Sequence, residues 1–340
     1  MLLGIILAVI FLSILILVHE LGHFWAAKKF GLLVEEFGIG LPPRIWGKKI
    51  GETIYSINAL PVGGFVKIFG ENGNDGEEAA GKSFAFLSVW KRVVIVSAGV
   101  LMNFFVGWMV VSLIFFIGIP SAVFIAEVSE NSPAQEIGLV SGDKISGFEN
   151  VESFIVYVDQ NRGKEIVLNI ERDGKPMDFK AAPRENPPVG QGALGVSLIE
   201  AGSPKQDLLS SVWSGLKASF DIIKATFAAF FHLIANVFVG KGSLETVTGP
   251  IGIVKIINQA SNLGIVYLFQ LLALISLNLA VLNILPFPAV DGGRLMFLII
   301  EKIKGSPLPA KFERYANALG MALLLFLMLI ITIKDITRLW

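Results

Sequence analysis

Leu2 to His23 reads LLGIILAVIFLSILILVHELGH. Nothing charged stands before Glu20, and the apolar run resumes at Leu21. About 20 mostly apolar residues cross a bilayer, so the stretch predicts a spanning helix with two imidazoles and a carboxylate near one end. Its position also suits a secretory signal peptide. It has no basic segment before the apolar run and no small-x-small pattern after it, so we read it as a retained helix.

The rest of the chain agrees with a membrane setting. Of 340 residues, 54% are hydrophobic and 16% charged, against about 25% charged in soluble domains. Three further uncharged stretches are long enough to span: Val93 to Ile119, Ile265 to Leu285 and Tyr315 to Ile333. Basic and acidic residues balance at 28 each, which gives no electrostatic footprint for nucleic acid. The absence of cysteine excludes disulfides and any thiolate metal site. Only three histidines remain as imidazole ligands: His19, His23 and His232.

Between the first two spans, Tyr55, Ile57 and Ala59 alternate with polar residues, the period of a strand. Pro61, Gly63 and Gly64 supply turn chemistry, and Phe65 to Ile68 returns as a second strand. Asn72 to Gly81 reads as a polar, mobile loop. Residues 121–186 are of another kind, with short strands at Val123 to Val128 and Ile166 to Ile170. Asp173-Gly174 is a hairpin turn ahead of Met177 to Lys180. Here Ser132-Pro133-Ala134, Gly138-Leu139 and Gly142-Asp143 together resemble a PDZ domain. From Val212 to Val239, Lys217, Asp221, Lys224, His232 and Asn236 form one polar stripe on an apolar helix. That pattern suits a helix lying in the interface, with His232 on its polar face.

Lys28, Lys29, Arg44, Lys48 and Lys49 place the loop after the first span in the cytoplasm by the positive-inside rule. Residues 121–186 then lie outside, and a third span without an extra crossing returns inward. Its end reaches the side on which His19 stands. The expected architecture is a polytopic α-helical membrane protein of four transmembrane helices, with a membrane-associated β-hairpin region and one extracytoplasmic PDZ-like domain. The segments are 1–120 (helices one and two with the β-hairpin loop), 121–186 (PDZ-like), 187–264 (linker and interfacial helix) and 265–340 (helices three and four).

His19-Glu20-Leu21-Gly22-His23 is an H-E-x-x-H string. Residues four apart share a helix face, so both imidazoles can reach one ion while Glu20 takes a proton from its water. An ionisable group inside an apolar span is costly and points to function. The bland alternative is a set of interface residues at a helix end. A third ligand has one acidic candidate nearby: Asp291 is the only acid between Glu245 and Glu301. It closes Asn283-Ile284-Leu285-Pro286-Phe287-Pro288-Ala289-Val290-Asp291-Gly292, whose prolines must break the helix. Freed backbone of that kind is tolerated only against protein or a wet cavity. The plainer reading of Asp291 is a helix cap, and that of Asn283 a helix–helix hydrogen bond.

H-E-x-x-H in the first span with N-x-x-P-x-P-x-x-D-G after the third resembles the site-2 protease family. The single PDZ-like insert is similar to that of its bacterial RseP/RasP branch. Gly99, Asn103 and Gly107, Gly38-Ile39-Gly40, and Thr248-Gly249-Pro250-Ile251-Gly252 match further family patterns. The resemblance covers essentially the whole chain. It implies a multi-pass protein of the bacterial cytoplasmic membrane that cuts single-span membrane proteins within the bilayer, such as anti-sigma factors or remnant signal peptides. One Zn2+ would be held by His19, His23 and Asp291, with Glu20 as general base and Asn283 contacting substrate. The PDZ-like insert would offer a site for a peptide or a C-terminus. Enterobacterial RseP carries two PDZ domains, so any size filter built on a pair is in doubt here. Two rivals share parts of this pattern: a membrane zinc protease acting on extramembrane loops, and an inactive scaffold binding C-termini.

Overall fold

The computed structural model describes residues 2–71, 81–172, 174–188, 190–239 and 247–337. Residues 72–80 of the expected polar loop, and Asp173 of the expected turn, lie outside the described residues. In chain order the elements are α1 (Leu2–Lys29), β1 (Val34–Ile50), β2 (Thr53–Ile68), α2 (Val89–Ile117), β3 (Ile119–Val128), α3 (Pro133–Glu136), β4 (Lys144–Ile145), α4 (Val151–Gln160), β5 (Ile166–Arg172), β6 (Lys175–Ala181), β7 (Val196–Ser203), α5 (Leu208–Phe238), α6 (Pro250–Leu263), α7 (Ile265–Ile284), α8 (Asp291–Lys304) and α9 (Ala310–Thr337). They form two compact units, residues 1–111 with 215–340, and residues 112–214.

Five helices among the described residues are long and apolar enough to cross a membrane: α1, α2, α5, α7 and α9. Four of them cover the stretches read from sequence. The additional one, α5, has a mean hydropathy of 1.4, against 2.3 to 2.6 for the others. Its polar stripe lowers that average, and length and composition alone admit either a crossing or an interfacial position.

In the larger unit, contacts at the two ends of α1 set the helix directions. Ala8 of α1 packs with Ile257 and Ala260 of α6 and Leu268 at the start of α7. At the other end, Ala27 packs with Ile95 and Val96 of α2 and Leu298 of α8. So α1 and α7 run the same way, while α2 begins where α1 ends. Gly22 allows the close approach of α2, because a Cβ there would stand 2.8 Å from Met102 Cγ and 2.7 Å from the Ala98 carbonyl carbon.

β1 and β2 pair antiparallel overall, but each strand folds back on itself. Glu36 to Ile39 faces Lys67 to Gly64 on one side and Ile54 to Ile57 on the other. Arg44 to Ile50 pairs with Asn58 to Thr53. The two stretches expected to form a hairpin with each other therefore flank Glu36 to Ile39 instead. Local turn signals at Pro61, Gly63 and Gly64 mark the bend, but cannot reveal that an earlier segment fills the space between its arms. Both ends of the layer, Arg44 to Ile50 and Val62 to Ile68, are edges of this sheet. The second lies against α1: Ser13 Oγ donates to the Pro61 carbonyl at 3.1 Å and accepts from the Gly63 N–H at 3.2 Å.

The smaller unit holds a five-stranded sheet in the order β6-β5-β4-β3-β7, with neighbours antiparallel. Ile166, Leu168 and Ile170 point into its core and Val167 points out, the period-2 pattern visible in the sequence. β5 and β6 close a hairpin at the Arg172–Lys175 pair. β7 completes the sheet from residues assigned on sequence grounds to a linker. Its burial alternates only between half-buried and exposed, so its hydrophobic pattern is weak. The Ser132 to Asp143 string acquires a physical reading. Ser132 Oγ accepts the Gln135 N–H at 3.2 Å to cap α3, and Pro133 starts that helix. Gly138 and Gly142 take φ of 81° and 94°, which only glycine adopts at no steric cost. Asp143 is buried and accepts from Arg172 Nε at 2.6 Å, Arg172 Nη2 at 2.8 Å and the Val140 N–H at 2.9 Å. Burial pushes its carboxyl up, but these donors outweigh it and hold the group below the usual carboxylate value.

Candidate metal centre

Helical spacing sets His19 and His23 edge to face on α1, with ring centroids 4.7 Å apart and Nε2 atoms 3.1 Å apart. The third group arrives from a broken helix. α7 stops at Ile284, Leu285 turns to extended backbone, and Ala289 takes a φ of 82° before α8 begins at Asp291. The return is tight enough to require Gly293, where a Cβ would meet the Phe287 carbonyl carbon and Pro288 Cα at 2.8 Å. Gly292 is pressed likewise onto the Ile284 and Leu285 carbonyls. α9 supports the break from behind, as Asn317 Oδ1 accepts the Ala289 N–H at 3.2 Å. Asp291 Oδ2 then lies 3.0 Å from His19 Nε2 and 3.3 Å from His23 Nε2.

These three residues are a group whose ligand atoms lie within 4.8 Å of one another. Their chemistry fits a metal. His23 Nδ1 lies 2.8 Å from the Ile95 carbonyl oxygen, an acceptor only, so the neutral ring carries its proton there and leaves Nε2 bare. Asp291 Oδ2 is buried without a hydrogen-bond partner despite its short distances to both imidazoles. A bare nitrogen facing a carboxylate oxygen repels it unless a proton or a metal ion lies between them. Two imidazoles and one carboxylate form a three-protein-ligand set known for catalytic zinc.

Gly99 of α2 forms the floor of this cluster. A Cβ there would stand 2.7 Å from His19 Cε1 and 2.8 Å from His19 Nε2, and closer still to His23 Nε2. Glu20 faces the sheet, where its Oε2 accepts the Val66 N–H at 3.1 Å. Asn103 places its carboxamide 3.4 Å from His19 Nδ1. Asn283 is half-buried in the last turn of α7 and makes no side-chain hydrogen bond among the described residues. His232 is exposed on α5, apart from the cluster.

Two ion pairs fasten α8, and with it Asp291. Arg92 at the start of α2 holds Glu301 through two N–H donors, one at 3.0 Å, and Arg294 pairs with Glu71. They line a cavity of about 700 Å³ that begins at Asp291 and includes Glu313 and Asn317. Sequence reasoning did not find Ile95, Val66, Arg92 or Arg294. The first two act through backbone atoms, which carry no residue signature. The pairs join positions more than 200 residues apart in the chain.

A model of Peptidase family M50 matches residues 7–327. A Clostridium perfringens protein with the provisional name zinc metalloprotease is 37% identical, over 98% of this chain and 98% of its own length. The zinc metalloprotease RasP of Shouchella clausii is 30% identical, over 96% and 97%. The regulator of sigma-W protease RasP of Bacillus subtilis is 29% identical, over 98% of each. With the family matched across nearly the full length and a zinc-type donor set assembled at the helix break, the chain belongs to peptidase family M50, the site-2 proteases, and is a zinc metallopeptidase.

Proposed function

We propose that this protein hydrolyses peptide bonds inside the membrane-spanning segments of single-span proteins. The observation that carries this reading is the position of the donor set. His19 and His23 lie within one apolar helix and meet Asp291 just past the end of another, beside an unpaired sheet edge.

His19, His23 and Asp291 would hold zinc in this reading, and the ion would supply acidification of a water and polarisation of a carbonyl. Glu20, held by the Val66 amide, accepts the water proton and returns it to the leaving amine. Asn283 contacts the substrate backbone from the last turn of α7. A helical peptide bond is enclosed by its own hydrogen bonds, so the substrate must unwind before attack. The edge at Val62 to Ile68 can receive the unwound strand by β-augmentation. Ser13 and Glu20 hold the Gly63 and Val66 N–H groups of this edge, so a strand laid along its remaining groups comes beside the general base. The family resemblance implies regulated cleavage of such proteins, anti-sigma factors or remnant signal peptides among them.

Helix directions support four crossings. If α5 crossed after α2, α7 would run against α1, yet the two run the same way, and α6, at 14 residues, is too short to restore the direction. This favours an interfacial α5, and with the basic residues after α1 it puts residues 30–92 in the cytoplasm and residues 121–186 outside. We read the smaller unit as PDZ-like, with a cavity of about 320 Å³ between α4 and the edge strand β7, lined by Val151, Ile155, Val158, Leu194 and Leu198. It suits an extended peptide or a C-terminus. Single cysteines replacing Glu152 and Lys48 test this topology, since no native cysteine interferes. Impermeant thiol reagents on intact cells should label the first and spare the second, and the reverse would overturn the arrangement.

The activity itself is tested by reconstituting the chain in vesicles with a single-span substrate and mapping the products by mass spectrometry. Cuts should fall within the spanning segment. Cuts confined to flanking loops would favour the rival protease, and zinc-loaded protein that cuts no single-span substrate would favour the scaffold.

A further inference from the structure

Asn103 lies on α2 one turn beyond Gly99, with its side chain buried. Its main-chain carbonyl accepts from Ser276 Oγ at 2.7 Å, which secures the residue without using the side-chain amide. That amide has two notable features: Nδ2 lies 3.4 Å from His19 Nδ1, and Oδ1 is buried with no partner. A buried acceptor left unpaired is uncommon.

His19 Nε2 faces Asp291 Oδ2 at 3.0 Å and His23 Nε2 at 3.1 Å. If Nε2 offers its lone pair there, the neutral ring carries its proton on Nδ1. An Nδ1–H facing an amide NH2 sets donor against donor. A half-turn about the Cβ–Cγ bond of Asn103 exchanges the two ends of the carboxamide. Oδ1 then receives the imidazole proton, which pairs the carboxamide oxygen and removes the donor–donor conflict, while the NH2 takes the place that Oδ1 held. His23 already has the equivalent arrangement, with the Ile95 carbonyl oxygen 2.8 Å from Nδ1.

We propose that Asn103 is a positioning residue for the metal centre: its carboxamide oxygen accepts the His19 Nδ1–H and so fixes the tautomer and rotation that aim Nε2 at the ion. This rests on the metal reading above, in which His19 is a zinc ligand. Outer partners of ligating histidines set ring orientation and basicity, and their loss costs 10–100-fold in metal affinity.

The test is zinc affinity of the purified full chain in detergent, by competition with a chelator, for wild type, Asn103→Leu and Asn103→Asp. Leucine keeps the approximate bulk and removes the acceptor, whereas aspartate keeps an acceptor at the same place. Asn103→Leu should bind zinc about 10–100-fold more weakly, and Asn103→Asp should stay within a few-fold of wild type or bind more tightly. A merely structural role would not separate the two in this way. Unchanged affinity in a folded Asn103→Leu, or equal weakness in both folded variants, would overturn the proposal while wild type still bound zinc. A wild type that binds no zinc would overturn the metal reading and this inference with it. Should Asn103→Leu fail to fold, nitrogen NMR of labelled histidine in the zinc-free wild type reads the tautomer that the protein alone imposes, with only three rings to assign. A His19 proton on Nδ1 supports the proposal, and one on Nε2 overturns it.

Discussion

Glu20→Gln should retain one zinc per chain and bind substrate, yet lose at least ~10²-fold in turnover, the usual contribution of a general base. In the proposed reading the two tasks fall to different side chains of one motif. His19 and His23 direct their Nε2 atoms toward Asp291, while Glu20 is directed at the sheet and accepts the Val66 N–H at 3.1 Å. Glutamine matches glutamate in size and its carbonyl oxygen can accept the same N–H, so the local packing survives. What it cannot do is take a proton from water. The variant should therefore hold uncut single-span protein, and membrane proteomics comparing it with wild type should show such proteins accumulating. Near-wild-type cleavage of a reconstituted substrate by Glu20→Gln would remove Glu20 from the role of base.

Gly99→Val should abolish stable zinc binding, as completely as Asp291→Ala. No ligand is changed by the valine, so the effect is purely one of space. Even the first carbon of a side chain would stand 2.8 Å from His19 Nε2 and nearer to His23 Nε2, inside van der Waals contact. The imidazoles cannot retreat along α1, because Ile95 holds His23 at 2.8 Å through Nδ1. Displacing both rings should cost more than the ~10–100-fold expected for loss of an outer partner. Elemental analysis of the purified variant, with helical content checked by circular dichroism, makes the measurement. Full zinc occupancy in folded Gly99→Val would mean that α2 does not floor the site as described.

The candidate ligands from α1 were legible because helix periodicity is local: residues four apart share a face whatever the rest of the chain does. Asp291 was legible for a different reason. It is the only acid in a long apolar region that ends in two prolines, so both its cost and its placement could be argued. The strands of the smaller unit announced themselves where burial alternates fully, as at Ile166 to Ile170, and stayed hidden at β7 where it does not. For the sheet beside the site, the sequence indicated strands and a bend but mispaired them. Strand order depends on which segment closes a non-local gap, and turn residues carry no information about that.

By itself, the sequence determined the membrane class, the candidate ligand types and the division between apolar spans and a β-rich insert. Those properties follow from hydropathy and short-range periodicity, which are properties of consecutive residues. Only the tertiary structure decided which groups surround the candidate ligands: the glycine floor at Gly99, the Ile95 carbonyl behind His23, the amide at Val66 that orients Glu20, and the ion pairs that fasten α8. The first three join segments distant in the chain through backbone atoms or through the absence of a side chain, and the ion pairs join side chains more than 200 residues apart. Such contacts arise from the packing of α1, α2, α8 and β2, and residue identity at one position does not encode them.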